Sequence, residues 1–229
     1  MGAWGGLCEF DVRRYREVVV PAFRAGERHP VIASAIALLE PSWECRWEGL
    51  AEVMAHFDDD LTTCALGRTF TTPTGWDYEL LTPLFEYVVT RETVRSYANL
   101  GLTGTWAARV WDAYVDKDDP SLLSELLAEL DRSQSGESCY WQHGSGGYGE
   151  GIAGWLDAEW TRELAAQVPA PFADSALLLD RQHRFRTVTQ RAVEHDNGLL
   201  WARDLCLFYS PEEVFADGAE PPVEIPYVG

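Results

Sequence analysis

Three groups of residues in this 229-residue chain combine side-chain type and spacing in ways that could do chemistry. The first is Glu48, Glu52 and His56, which recur at i, i+4 and i+8 on a segment with helical apolar spacing, with Asp59 or Asp60 extending the line. A row of carboxylate and imidazole on one helix face can ligate iron, manganese or zinc, so Glu52, His56 and Asp59 are candidate ligands for a transition metal. Four-helix di-metal sites need a Glu-x-x-His on partner helices. The nearest match, Asp180-x-x-His183, differs in residue type and has no second copy. The plainer reading is a polar stripe opposite the apolar face of Trp43, Trp47, Leu50 and Met54.

The second group is the Gly-rich stretch from Cys139 to Glu150, in which Gly144, Gly146 and Gly149 fit G-x-G-x-x-G ahead of an expected helix. Backbone N–H groups in such a loop can cradle a phosphate. The context is incomplete, because no buried strand is expected before it, no lysine stands where a P-loop needs one and no βαβ pattern surrounds it. Cys139 and His143 would form a thiolate–imidazole pair only if the loop folds back on itself. A hinge or lid over a pocket is the simpler expectation.

The third group is basic. Arg181, Arg184, Arg186 and Arg191 lie with His183 and His195 on one helical stretch, the only basic concentration in the chain. It could bind an anionic ligand, or it could pair internally with the surplus of carboxylates.

That surplus dominates the composition. Eighteen Lys and Arg stand against 37 Asp and Glu, a formal net charge of −19 at pH 7. Unspecific nucleic-acid binding is disfavoured, since a phosphate backbone would be repelled, and anionic membrane surfaces are disfavoured for the same reason. The densest acidic block holds Asp112, Asp116, Asp118, Asp119, Glu125, Glu129 and Asp131 against Lys117 alone. Such a field steers a basic protein partner and raises its on-rate in a salt-dependent way. A solvated helix face is the alternative. Ten tryptophans are many for this length. Trp is favoured at binding hot spots, although helical spacing places most of these in a core.

Mean hydropathy of −0.20 and 46% hydrophobic residues describe an ordinary globular chain. No run of about 18 apolar residues exists to span a membrane. Met1 to Phe10 is apolar but has no basic segment ahead of it, which argues against a secretory signal. Five scattered cysteines without a C-x-x-C fit reduced thiols and a cytoplasmic setting. A single lysine among the basic residues suggests a GC-rich, bacterial genome.

The elements that would position these groups read as mainly helical. Asp11 caps a helix that bends or ends near Pro21, Pro30 opens a second and Ser42 a third. A short strand is expected near Cys64 to Phe70. Helices are expected from Trp76, from Thr90 through Val94 and Tyr97, around Trp106 to Tyr114, and over Leu122 to Leu130. Helix resumes at Ile152, carrying Trp155, Leu156, Trp160 and Leu164, and a longer one covers Ser175 to His195. Asn197-Gly198 then turns into a strand of Leu199 to Tyr209, and Ser210-Pro211-Glu212-Glu213 has a capping-box signature.

The expected fold class is therefore mainly α, a multi-helix bundle or orthogonal helical domain with a few short strands in the C-terminal third. Residues 1–132 would form a helical body, 133–151 a Gly/Ser-rich loop, and 152–229 a helical segment with a short strand and an acidic, Pro-rich tail, all in one compact body. The expected function is an inhibitor- or immunity-like binding protein for a basic protein, using Asp112, Asp116, Asp118, Asp119, Glu125 and Glu129. The rival is an enzyme with the helix-borne metal site or a pocket closed by the Gly-rich loop, and a third reading is a structural subunit with a Trp-lined oligomer interface.

Overall fold

The computed structural model describes residues 5–39, 77–101, 107–114, 121–131, 151–203, 205–208, 210–215 and 217–227. The mainly α expectation is wrong: a five-stranded mixed sheet runs through the middle of the molecule, and its first strand lies at the start of the chain. The strands are β1 (Gly5–Phe10), β2 (Val94–Asn99), β3 (Gly151–Leu156), β4 (Gly198–Arg203) and β5 (Val223–Glu224). Their order is β3-β4-β1-β2-β5, antiparallel except for the short β2/β5 edge pair. Strands from both sides of residues 133–151 share this one sheet.

Helices cover both faces. After β1 the chain enters α1 (Val12–Arg14), a π-helical turn (Tyr15–Val19), α2 (Val20–Ala25) and α3 (Pro30–Leu39), and returns through α4 (Asp77–Thr93). Asp11 is the N-cap expected, accepting from the Arg14 N–H at 2.8 Å. The wide turn lies directly ahead of Pro21, which has no N–H to give and whose ring crowds the carbonyl four residues back. This layer packs on Cys8, Phe10, Tyr97, Leu200 and Ala202. The opposite layer holds a 3-10 stretch (Ala107–Tyr114), α5 (Leu122–Leu130), α6 (Ala158–Gln167) and α7 (Ala176–Glu194). It packs on Leu7, Ala98, Leu156, Leu199 and Trp201. A short α8 (Pro211–Val214) begins at Ser210-Pro211, but Ser210 makes no side-chain capping bond, so the expected capping box is not formed. Odd positions of β1 thus face one helical layer and even positions the other.

Two expected helices, from Thr90 through Val94 and Tyr97 and from Ile152, run into strands, and for the second the cause is this burial on both faces. Strands covered on both faces read as continuous apolar runs without a period-2 alternation, and GGLCEF in β1 and GIAGWL in β3 are such runs. Helix α6 starts only after Asp157, whose carboxylate accepts from the Trp160 N–H at 2.9 Å. The stretch from Val94 departs from helix because α4 ends at Thr93, after which Ser96, Tyr97 and Ala98 pair with β1. The expected helix from Ser42 and strand near Cys64 lie outside the described residues. Among the described residues no helix is long and apolar enough to cross a membrane.

The layers approach closely where glycine permits. A Cβ on Gly154 would stand 2.3 Å from the Glu129 carbonyl oxygen and 2.6 Å from that of Leu130, so the last turn of α5 lies directly on β3. These are backbone atoms and cannot swing away. Gly154→Ala should therefore lower stability by about 3 kcal/mol in chemical denaturation. Gly218→Ala, where the added atom meets only open space but φ is +83°, should cost about 1 kcal/mol. Equal losses at the two positions would contradict the close approach.

Candidate functional site

The polar feature nearest the centre of the molecule is Glu9. It sits on the central strand, its side chain is fully buried, and it faces α7 together with Leu7. Opposite it in the β1/β2 register is Ser96, whose hydroxyl donates to Oε2 at 2.6 Å. The other oxygen, Oε1, accepts from His195 Nδ1 at 2.6 Å and from Asn197 Nδ2 at 2.8 Å. An ionised carboxylate only accepts, so the hydrogen on Nδ1 is assigned by this contact. The Arg191 guanidinium stands 3.8 Å away. Burial pushes the Glu9 carboxyl up, but the bonds from Ser96, His195 and Asn197 outweigh it, and the net pKa lies below the ordinary value.

The turn that brings His195 and Asn197 to Glu9 is dictated locally. The Asn197 N–H reaches the Ala192 carbonyl at 2.8 Å and the Asp196 N–H that of Val193 at 3.2 Å, a Schellman closure of α7. Its left-handed position is filled by Asp196, at φ 54°, where glycine is usual. Arg162 of α6 holds the Asp196 carboxylate at 2.6 Å.

Around this turn the surface is acidic and carries an exposed indole. Glu159 and Glu163, one turn apart on α6, are exposed, as are Glu194 and Asp196 at the end of α7. Trp160 stands on the flank of the same α6 face with 49% of its surface in solvent. The C-terminal carbonyls of α7 add negative potential at the same place. The His195 ring is half exposed, so its carboxylate-bound nitrogen is fixed while the ring edge reaches the surface.

The residues expected to form sites fare unevenly. Glu52, His56, Asp59, Cys139, His143, Gly144, Gly146 and Gly149 lie outside the described residues, as do Asp116, Asp118 and Asp119. Asp112 falls within the 3-10 stretch. Glu125 is exposed on α5 and Glu129 is half-buried there. Asp131, from the same acidic block, is turned inward: it is buried and accepts from the Ala107 N–H at 2.9 Å. Asp180 and His183 do not converge, since Asp180 is buried against Arg184 and His183 is exposed. Among the described residues no three His, Cys, Asp or Glu side chains are grouped to hold a metal ion. Trp111 and Trp201 are core, as helical and strand spacing suggest, but Trp160 is not. Glu9, Ser96 and Asn197 were not singled out. Their one signal is that Glu9 is the only charge within Gly5–Phe10.

Compared with known protein families, with curated proteins and with solved structures, the chain matches none.

The depressed pKa of Glu9 sets a sign. A carboxyl held below its unfolded value contributes stability at pH above that value and loses it as pH falls through the folded one. Wild-type stability should therefore decline as the pH drops below about 4.3, the ordinary glutamate value. Glu9→Gln should cost about 3 kcal/mol at pH 7 and flatten that acid limb in urea titrations run from neutral to acid pH. An unchanged acid limb in the variant would show that Glu9 is not its source.

Proposed function

We propose that this protein binds a basic protein partner through its acidic surface, as an inhibitor or immunity-type protein does, and that it works in the cytoplasm. The observation that carries the reading is how the cations are used. Arg14 stands against Glu92, Arg91 against Asp217, Arg95 against Asp11, Arg162 against Asp196, Arg184 against Asp180 and Arg191 against Glu9. Each of these pairs is neutral in sum, so the net of −19 stays with the rest of the charged residues, and many of the carboxylates among the described residues are exposed. Long-range attraction of a positive partner follows from such a field, and it is screened within about 8 Å at physiological salt.

The face of α6 with Glu159, Trp160 and Glu163 supports a specific contact within that field. A half-exposed indole flanked by carboxylates is the combination a basic surface can desolvate, with Trp as anchor and the glutamates matching Lys or Arg on the rim. Glu125 and the acidic segment around it extend the same sign of charge. The cytoplasmic part of the proposal draws support from Cys8, a free and fully buried thiol whose pKa burial pushes far up, which suits a reducing setting but does not require it.

Affinity capture at low and at high salt, using wild type and a Glu159→Gln/Trp160→Ala/Glu163→Gln variant in parallel, tests the reading. A basic protein retained by wild type should then be purified and its kinetics measured. The on-rate should fall at least about tenfold between 10 mM and 200 mM salt, and Trp160→Ala alone should weaken binding by about 2 kcal/mol, mainly through the off-rate. Retention indifferent to both salt and the triple substitution would remove the proposal.

A further inference from the structure

The arginine cluster on α7 is split by the fold. Arg191 belongs to the Glu9 end, whereas Arg181 and Arg184 reach the far end of β2. Arg184 is fully buried. It donates from Nε to Asp180 Oδ2 at 2.8 Å and from Nη1 to the Asn99 carbonyl. Its Nη2 is buried with no hydrogen-bond partner among the described residues. Arg181 is half-buried, and its Nε is likewise buried and without a partner among the described residues. Its other end lies beside Gly101, at φ +81°, where an added Cβ would come within 3.3 Å of Nη2. Both guanidinium groups therefore converge on the segment Asn99–Gly101. Burial lowers the pKa of Arg181, and the neighbouring Arg184 charge adds to this while Tyr227 and Asp180 oppose it.

Among the described residues, two cations and one carboxylate leave a local charge of +1 in a protein of strongly negative net charge. Buried charged donors without acceptors are unfavourable, and a planar, singly charged acceptor would relieve both at once. We infer that the Arg181–Arg184 pair at the end of β2 is a binding site for the carboxylate group of a small monoanionic ligand. A dianionic phosphate would overshoot the charge. The site is covered thinly: the Tyr227 ring stacks on Arg184 at 3.8 Å, yet Tyr227 itself is 59% exposed. The segment carrying it is held by the two-residue β5 and by the Ile225 N–H on the Tyr97 carbonyl at 2.8 Å. Displacing this ring would uncover one face of the Arg184 guanidinium.

The test is thermal unfolding of the full chain with acetate, inorganic phosphate or chloride at constant ionic strength and pH 7. Acetate should raise Tm saturably, by about 3–6 °C at tenfold excess over its Kd. Arg181 makes no hydrogen bond or ion pair among the described residues. Arg181→Gln therefore leaves the fold's own bonds in place and should weaken acetate at least about tenfold. Tyr227→Ala, by removing the cover, should strengthen it. An acetate effect visible only in Tyr227→Ala still supports the site. The inference is overturned by no saturable acetate effect in either wild type or Tyr227→Ala, by an undiminished effect in Arg181→Gln, or by preference for phosphate over acetate.

Discussion

A single ionised carboxylate in the middle of the sheet constrains much of what surrounds it. Taking a glutamate out of water costs several kcal/mol unless its oxygens are satisfied, and Glu9 is fully enclosed. Ser96 from the neighbouring strand and His195 and Asn197 from the turn after α7 supply the compensation. Those donors come from two parts of the chain, both distant from Glu9 in sequence, so the carboxylate is satisfied only when β1, β2 and the end of α7 are in register together. A one-residue slip of β1 would turn Glu9 toward the apolar layer of Phe10, Tyr15 and Phe23 and strand it. The interaction thus contributes specificity at least as much as stability.

Helix α7 carries this constraint from one end of the sheet to the other. Its C-terminal turn is anchored at Glu9 and by the Arg162–Asp196 pair. Its N-terminal half is anchored through Arg184 on Asn99 and through Gln182, which donates to the Val110 carbonyl and accepts from the Phe172 N–H. Arginines face inward along this helix and glutamates face outward on α6 and at the last turn of α7. The internal pairing and the negative exterior are therefore two consequences of one arrangement, and a surface that attracts a basic partner can coexist with inward-facing arginines.

Much of this was legible where the chemistry is local. Asp11 caps its helix, and Pro30 and Pro211 stand at the first positions of theirs, because capping and proline geometry depend on a few neighbouring residues; Ser175 and Ser210 precede helices without a side-chain capping bond. The Asn197-Gly198 entry to β4 was legible for the same reason. The sheet itself was hidden, because strands buried on both faces lose the alternation that marks a half-exposed strand. Trp155 and Trp160 illustrate the cost: read as one helical stripe, they stand on either side of a strand end and a helix cap, the first packed on the core and the second facing water. Glu9 could be seen as a charge in an apolar run, but its partners are 87 and 186 residues away, at Ser96 and His195, and no spacing rule reaches that far.

The account turns on Glu9 being ionised while buried. Following its side-chain carboxyl carbon by NMR through an acid titration of the folded protein measures this directly. The arrangement of donors requires a pKa below the ordinary glutamate value of about 4.3, with the His195 ring shifts moving in step. A pKa at or above that value would mean that burial outweighs the three hydrogen bonds, and only one above about 7 would leave a neutral acid at the centre of the sheet at neutral pH.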